Sequence, residues 1–132
     1  MEKIKNSPKA KELIYGEIQL LYSLKDLGFV NTLIDAFFYE KILYMVLELS
    51  NGGNLDNKVK NLRVKNCKLN IEEIRLIAWN LAEGLLEMHK RKIVHRDLKP
   101  ENVLLMVDSI GSIIDAKICD LGLGRKLKDN NP

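Results

Sequence analysis

Cysteine is scarce in this chain. The 132 residues hold two, Cys67 and Cys119. They lie far apart and outside any C-x-x-C spacing, which excludes a thiolate metal pattern and leaves reduced cytosolic thiols as the plain reading. Long apolar runs are missing too. The most apolar segment, Leu33 to Leu49, is broken by Asp35, Glu40, Lys41 and Glu48, so it cannot cross a bilayer. The opening residues Met1-Glu2-Lys3-Ile4-Lys5 have no apolar h-region, so no signal peptide is expected and a cytoplasmic location is. Nor does one sign of charge dominate. Lys and Arg number 21 and Asp and Glu 18, a net charge of +3 that is too small to point to nucleic acid. What is present is 46% apolar and 30% charged residues, the balance of a soluble globular protein with room for one core.

The periodicity places the elements. Ser7-Pro8 reads as a helix start, with a capping hydroxyl and then proline at the first helical position. Leu13, Ile14, Ile18, Leu21 and Leu24 follow at helical spacing, and Gly28 is expected to end the run. Glu17, among these apolar positions, reads as a carboxylate at the edge of a solvated face. Phe29 to Phe38 and Ile42 to Leu49 read as a hairpin around Tyr39-Glu40-Lys41. The second strand runs into Asn51-Gly52-Gly53, a strand leaving its sheet for a connector.

Asn54 can cap a short helix with Leu55, Val59 and Leu62 on one face. Its other face and the residues after it carry Lys58, Lys60, Arg63, Lys65 and Lys68. Such a charge run reads as a solvated face, and the alternative is a dock for an acidic partner. Asn70-Ile71-Glu72-Glu73 opens the strongest helix with capping-box spacing. Its core stripe is Ile74, Ile77, Ala78, Leu81, Leu85 and Met88, with Trp79 off the stripe as a partly buried or contact residue. His89 reads as a surface histidine, and Lys90-Arg91-Lys92 suit the negative helix end. Near the C-terminus, Val103 to Met106 and Ala116 to Cys119 read as strands joined by a turn at Asp108 to Ser112.

Between that helix and those strands lies Val94-His95-Arg96-Asp97-Leu98-Lys99-Pro100-Glu101-Asn102. Asp97 can accept a proton, Lys99 can neutralise a phosphate, and Asn102 offers a carbonyl oxygen suited to a hard cation. Pro100 fixes its own φ and lacks a donor, so this is a shaped loop. The stretch matches the pattern H-R-D-L-x-x-x-N, and Asp120-Leu121-Gly122 follows where D-F-G would stand. On these motifs the chain resembles the catalytic domain of eukaryotic-type protein kinases. Lys99, two residues after Asp97, is the serine/threonine form. Asp120 to Arg125 resembles some NIMA-related kinases, although those usually have Ala where Glu101 stands.

The resemblance implies a partial kinase-like α+β fold. Residues 1–50 would be a small-lobe remnant and hinge, and residues 51–132 the start of the large lobe. It also implies roles. Asp97 would orient and deprotonate a Ser or Thr hydroxyl of a protein substrate, and Lys99 would stabilise the γ-phosphoryl charge of ATP. Asn102 and Asp120 would hold Mg²⁺. Glu17 would be the glutamate that pairs with the ATP-orienting lysine. Leu47 would guard the back pocket, the Glu48 carbonyl and Ser50 backbone would meet the adenine, and Leu104 would floor its pocket. Arg96 would meet an activation-loop phosphate. His95, Leu121, Leu21 and Leu33 would stack into an apolar column, with Gly122 completing the D-x-G turn. Leu121 departs from the usual Phe, yet keeps the apolar packing role. Asn54 stands where many kinases carry an acid, which argues against a basic-substrate preference.

The resemblance covers only the middle of such a domain. No G-x-G-x-x-G precedes the first helix, no V-A-I-K strand is present, and Lys3 is a poor stand-in for the ATP lysine. No A-P-E follows, and no Ser or Thr after Ser112. Slight activity is therefore expected of the isolated chain, and partly exposed helix faces predict self-association or a docking partner. The competing reading is a non-catalytic fragment or pseudokinase that binds a partner.

Overall fold

The computed structural model describes residues 8–127. In chain order it runs α1 (Pro8–Ser23), β1 (Leu33–Tyr39), β2 (Ile42–Leu47), α2 (Leu55–Val64) and α3 (Ile71–Lys90). There follow β3 (Ile93–Val94), a single 3₁₀ turn at Pro100–Asn102, β4 (Val103–Val107), β5 (Ile113–Ile118) and β6 (Arg125–Lys126). The strands pair antiparallel as β1–β2, β3–β6 and β4–β5. This is the expected mixture of helices and small antiparallel sheets.

Proline opens α1 as expected, while Ser7 and Lys3 lie outside the described residues. The helix does not run on to Gly28. It stops at Ser23, whose hydroxyl donates to the Leu20 carbonyl at 2.8 Å. That bond satisfies a carbonyl the helix end would otherwise leave open. Two tight turns, Leu24 N to Leu21 O at 3.1 Å and Leu27 N to Leu24 O at 2.9 Å, then keep every third leucine buried.

The β1–β2 hairpin closes as Tyr39 opposite Ile42, so Glu40 and Lys41 form a two-residue turn. Both have positive φ, 47° and 65°, the backbone of a type I′ turn that suits strand twist but favours Asn and Gly. The β4–β5 turn is built differently. Asp108 Oδ1 accepts from the N–H groups of Ile110 and Ser112 at 3.0 and 2.9 Å, and Gly111 takes the left-handed position.

The caps read from the sequence for α2 and α3 are both formed. Asn54 Oδ1 accepts from the Asn57 N–H at 2.8 Å. Asn70 and Glu73 exchange bonds at 2.8 and 3.1 Å, closing a capping box. The buried face of α3 differs from the expected stripe. Ile77 and Met88 are buried, but Ile74 and Ala78 are exposed, and Asn80 and Gly84 lie inside. Asn80 is held there by its amide, which donates to Asp115 Oδ1 at 2.6 Å. Gly84 is there because space is short. A Cβ on it would stand 3.0 Å from Ile118 Cδ1 and 3.1 Å from Phe29 Cβ.

Two apolar clusters form the core. One joins Leu21, Leu24 and Leu33 to Met88, Ile93, Ile118 and Leu121. The other joins Ile77 to Val103, Leu105, Ile113 and Ala116. β5 contributes to both and is their common wall. Backbone bonds tie two earlier segments, the one that follows α1 and the one that precedes α2, to the β4–β5 hairpin. The Ile118 N–H donates to Phe29 O at 2.9 Å, and the Asn31 N–H to Ile118 O at 2.8 Å. On β4, Leu105 exchanges bonds with Gly52 and Gly53, both at 2.8 Å. Gly52 comes so close that a Cβ would lie 2.7 Å from the Leu105 carbonyl oxygen. Next to it the Asn51 amide bonds both backbone groups of Val107 at 2.9 Å, acting as one more strand residue.

The basic end of α3 does more than face the helix dipole. The Arg91 guanidinium grips Asp26 with two bonds, at 2.8 and 2.9 Å, and also donates to the Ser23 carbonyl. The Arg91 bond is the main reason the Asp26 carboxyl is pulled down to about 2.

Candidate active site

The loop between β3 and β4 bends sharply. Arg96 takes φ 66°, a conformation rare for a residue with a side chain, and its Nε donates to the Leu123 carbonyl at 2.6 Å. The turn aims Asp97, Lys99 and Asn102 at one another. Lys99 Nζ donates to Asp97 Oδ2 at 2.7 Å. The buried Asn102 amide donates to the same carboxylate oxygen at 3.1 Å and to the Asp97 carbonyl at 2.9 Å. The loop read as non-helical contains one 3₁₀ turn, with Pro100 at its first position, and that turn swings Asn102 inward.

His95 is buried beneath this group. Its Nδ1 accepts from the Asp97 N–H at 3.2 Å, and its Nε2 lies 2.9 Å from the Cys119 carbonyl. Cys119 in turn donates its N–H to the Asn102 carbonyl at 3.0 Å. The histidine therefore bridges the loop to the segment carrying Asp120. Asp120 itself adopts φ 62°, and its Oδ1 accepts from the Gly122 N–H at 3.1 Å. Leu121 is buried in the same cluster as Leu21 and Leu33.

Lys99 is the main cause that holds the Asp97 carboxyl below the ordinary range, and Asp97 raises the Lys99 ammonium in return. At neutral pH Asp97 is thus an ionised acceptor, suited to align a hydroxyl more than to abstract its proton early.

A cavity of about 260 Å³ opens beside this group. It is lined by Glu17, Leu21, Asn31, Leu47, Leu104, Cys119 and Asp120. Glu17, Leu47, Leu104 and Asp120, singled out from sequence, are thus brought together. Glu17 is half-buried, and its carboxyl is raised first by that burial and then by the charge of Asp120. The Cys119 thiol is pushed up to about 11 by burial, with Asp120 adding to it, and stays a protonated packing group.

Glu48 and Ser50 do not line this cavity. The Glu48 N–H donates to the Thr32 carbonyl at 2.9 Å, and the Ser50 hydroxyl is buried without a partner among the described residues. The Glu48 carboxylate accepts from the nearly buried Lys117 with both oxygens at 2.7 Å. Sequence reasoning missed this pair. Its one signal was a lysine inside the apolar strand run Ala116-Lys117-Ile118.

Asn102 and Asp120 supply oxygens of the kind Mg²⁺ takes, an amide carbonyl and a carboxylate. Asn102 spends its Nδ2 on Asp97, and Asp120 Oδ1 accepts from the Gly122 N–H. The donor set fits a hard cation whose remaining ligands come from outside these two side chains. Among the described residues no group of three or more His, Cys, Asp or Glu is placed to hold a metal ion by itself.

An acid locked to a lysine and an amide, on a loop tied through His95 to the segment whose carboxylate lines a leucine-walled cavity, is an arrangement that fits a protein kinase domain. The chain belongs to that family, whose model matches residues 1–132. Among similar proteins are the serine/threonine-protein kinase CLA4 of Candida albicans, 35% identical over 119 residues, and the serine/threonine-protein kinase shk1/pak1 of Schizosaccharomyces pombe, 36% identical over 127 residues. The MAP kinase-interacting serine/threonine-protein kinase 2 of Xenopus laevis is 33% identical over 122 residues. These alignments cover 90%, 96% and 92% of this chain but only 11%, 18% and 25% of the relatives. The chain therefore spans a quarter or less of their length. No helix among the described residues is long and apolar enough to cross a membrane.

Proposed function

We propose that the protein transfers the γ-phosphate of ATP to Ser or Thr hydroxyls of a protein substrate. The observation that carries this reading is the Asp97 carboxylate gripped at 2.7 Å by Lys99 and at 3.1 Å by Asn102. Asp97 aligns the acceptor hydroxyl and takes up its proton as the hydroxyl oxygen bonds the γ-phosphorus and the bond from that phosphorus to the β–γ bridging oxygen breaks, releasing ADP. Lys99, already beside it, meets the charge on the transferred group. Mg²⁺, held by Asn102 and Asp120, neutralises the phosphates when bound. Leu104 floors the adenine and Leu47 closes the rear, while the Glu48 carbonyl and Ser50 backbone, outside the cavity lining, would meet its edge beyond the cavity mouth. Glu17 stands ready for a lysine or another cation. In this reading residues 1–50 form a small-lobe remnant and hinge, residues 51–132 begin the large lobe, and the chain alone has slight activity.

A second reading, a binding fragment without catalysis, draws support from the apolar surface left open on α3, where Trp79 is 65% exposed. Melting the chain with and without Mg²⁺ and ATP separates the two. Ligand that binds only the folded state raises its apparent stability by RT ln(1 + [L]/Kd). The kinase reading expects an upward shift that Asp120→Ala abolishes. A cooperative melt that ATP leaves unmoved would favour the binding fragment.

A further inference from the structure

The larger cavity lies away from the catalytic loop. It is a groove of about 410 Å³ between the end of α2 and the first turn of α3. Val59, Leu62, Leu69 and Ile74 contribute apolar lining, and Arg63 and Lys68 also border it. Ile74, expected to be core, is instead exposed at this groove.

The charge around the groove is one-sided. Lys60 is neutralised by Asp56 at 2.6 Å, and Lys58 donates to the Gly111 carbonyl. Arg63, Lys65 and Lys68 have no side-chain ion-pair partner among the described residues. The nearby acids are already engaged. Glu72 pairs with Arg75 at 3.1 Å, and Glu73 closes the α3 capping box. Ile74 lies in the first turn of α3, so the positive end of that helix borders the groove as well. An apolar trough with unpaired cations at its rim complements a chain of opposite pattern.

We propose that this groove docks an acidic peptide segment of a partner protein, with leucine-like side chains in the trough and Asp or Glu at Arg63 and Lys68. The surface is independent of the proposed catalytic site. It gives a physical occupant to the basic α2 face, whose plain reading is solvation.

The probe is a short fluorescein-labelled peptide with leucines spaced among glutamates, titrated with the full 132-residue chain while anisotropy is followed. Saturable binding is expected, with methyl resonances of Val59, Leu62 and Ile74 shifting in step. The double variant Arg63→Glu, Lys68→Glu should bind about tenfold more weakly and should gain affinity for the same peptide with lysines in place of glutamates. The methyl shifts read the groove in the unaltered chain, so the test survives a variant that folds poorly. Four results would overturn the proposal. They are no saturable binding, equal binding of a glutamate peptide without leucines, equal competition by an RNA oligonucleotide of matched charge, and light scattering in which a second copy of the chain excludes the peptide.

Discussion

The two longer hairpins of this molecule have similar strands and opposite fates. In β4–β5, Val103 and Leu105 of one strand and the run Ala116 to Ile118 of the other are buried, and Leu105, Ala116 and Ile118 wholly so. In β1–β2 only Leu33 is buried, while Ile34 and Phe38 remain 66% and 60% exposed. The turns differ in the same sense. β4–β5 uses an Asp side chain and a left-handed glycine, whereas β1–β2 forces Glu40 and Lys41 into positive φ. Apolar strand residues therefore do not fix burial by themselves. Burial depends on which helix the chain lays across the sheet, and here Gly84 admits α3 to β5 while no described helix covers the outer face of β1–β2.

The sharpest way to break this contrast is a matched truncation. Leu105→Ala should cost about 3–4 kcal/mol by removing a fully packed side chain, while Phe38→Ala should cost under about 1 kcal/mol. Denaturant melts of the two variants read the difference, and equal losses would refute the assignment of β4–β5 as the core hairpin. Next comes the pair that joins the hairpins. Lys117→Met leaves Glu48 partly buried without its cation and should cost about 2 kcal/mol. Because Lys117 holds the Glu48 carboxyl low, the pair's stabilisation is complete above the unfolded carboxylate range. It fades as pH falls through the lowered folded value, and the variant should lack that acid-side loss.

A smaller effect should sharpen the comparison from the turn side. Lys41→Gly relieves one strained position of the β1–β2 turn and should stabilise the chain by roughly 0.5–1 kcal/mol, read as a raised melting temperature. The mildest test concerns Glu17. Its carboxyl is raised by burial and by Asp120, so the folded state holds a proton the unfolded chain has released. Stability then declines as pH rises from the ordinary carboxylate range of the unfolded chain through the raised folded value. Glu17→Gln should flatten that decline, and an unchanged pH profile would remove Glu17 from the electrostatics of the cleft.

Much of this architecture was legible beforehand because its signals are local. The capping residues Asn54 and Asn70 act within three positions, the hairpin turns within five, and the Asp97–Lys99–Asn102 group within six. What escaped depends on distance along the chain. Nothing near Glu48 announces Lys117, and nothing near Arg91 announces Asp26. The end of α1 was misplaced because a serine hydroxyl and two turns did the work assigned to Gly28. The inward face of α3 was misjudged because Asn80 and Gly84 are poor core residues by type. They become good ones only once Asp115 and Ile118 stand opposite.

The backbone bonds between Phe29, Asn31 and Ile118 have a consequence for biosynthesis. A ribosome delivers the chain from its N-terminus, so the buried leucines of α1 and its following turns emerge long before the strand that completes their ladder. At about 5–20 residues per second, the stretch from Phe29 to Ile118 takes roughly 4–18 s to make. During that interval Leu21, Leu24 and Val30 have no β5 to pack against. The nascent first half thus exposes apolar side chains until its far partner is made, and the length of that interval sets how long aggregation can compete with folding.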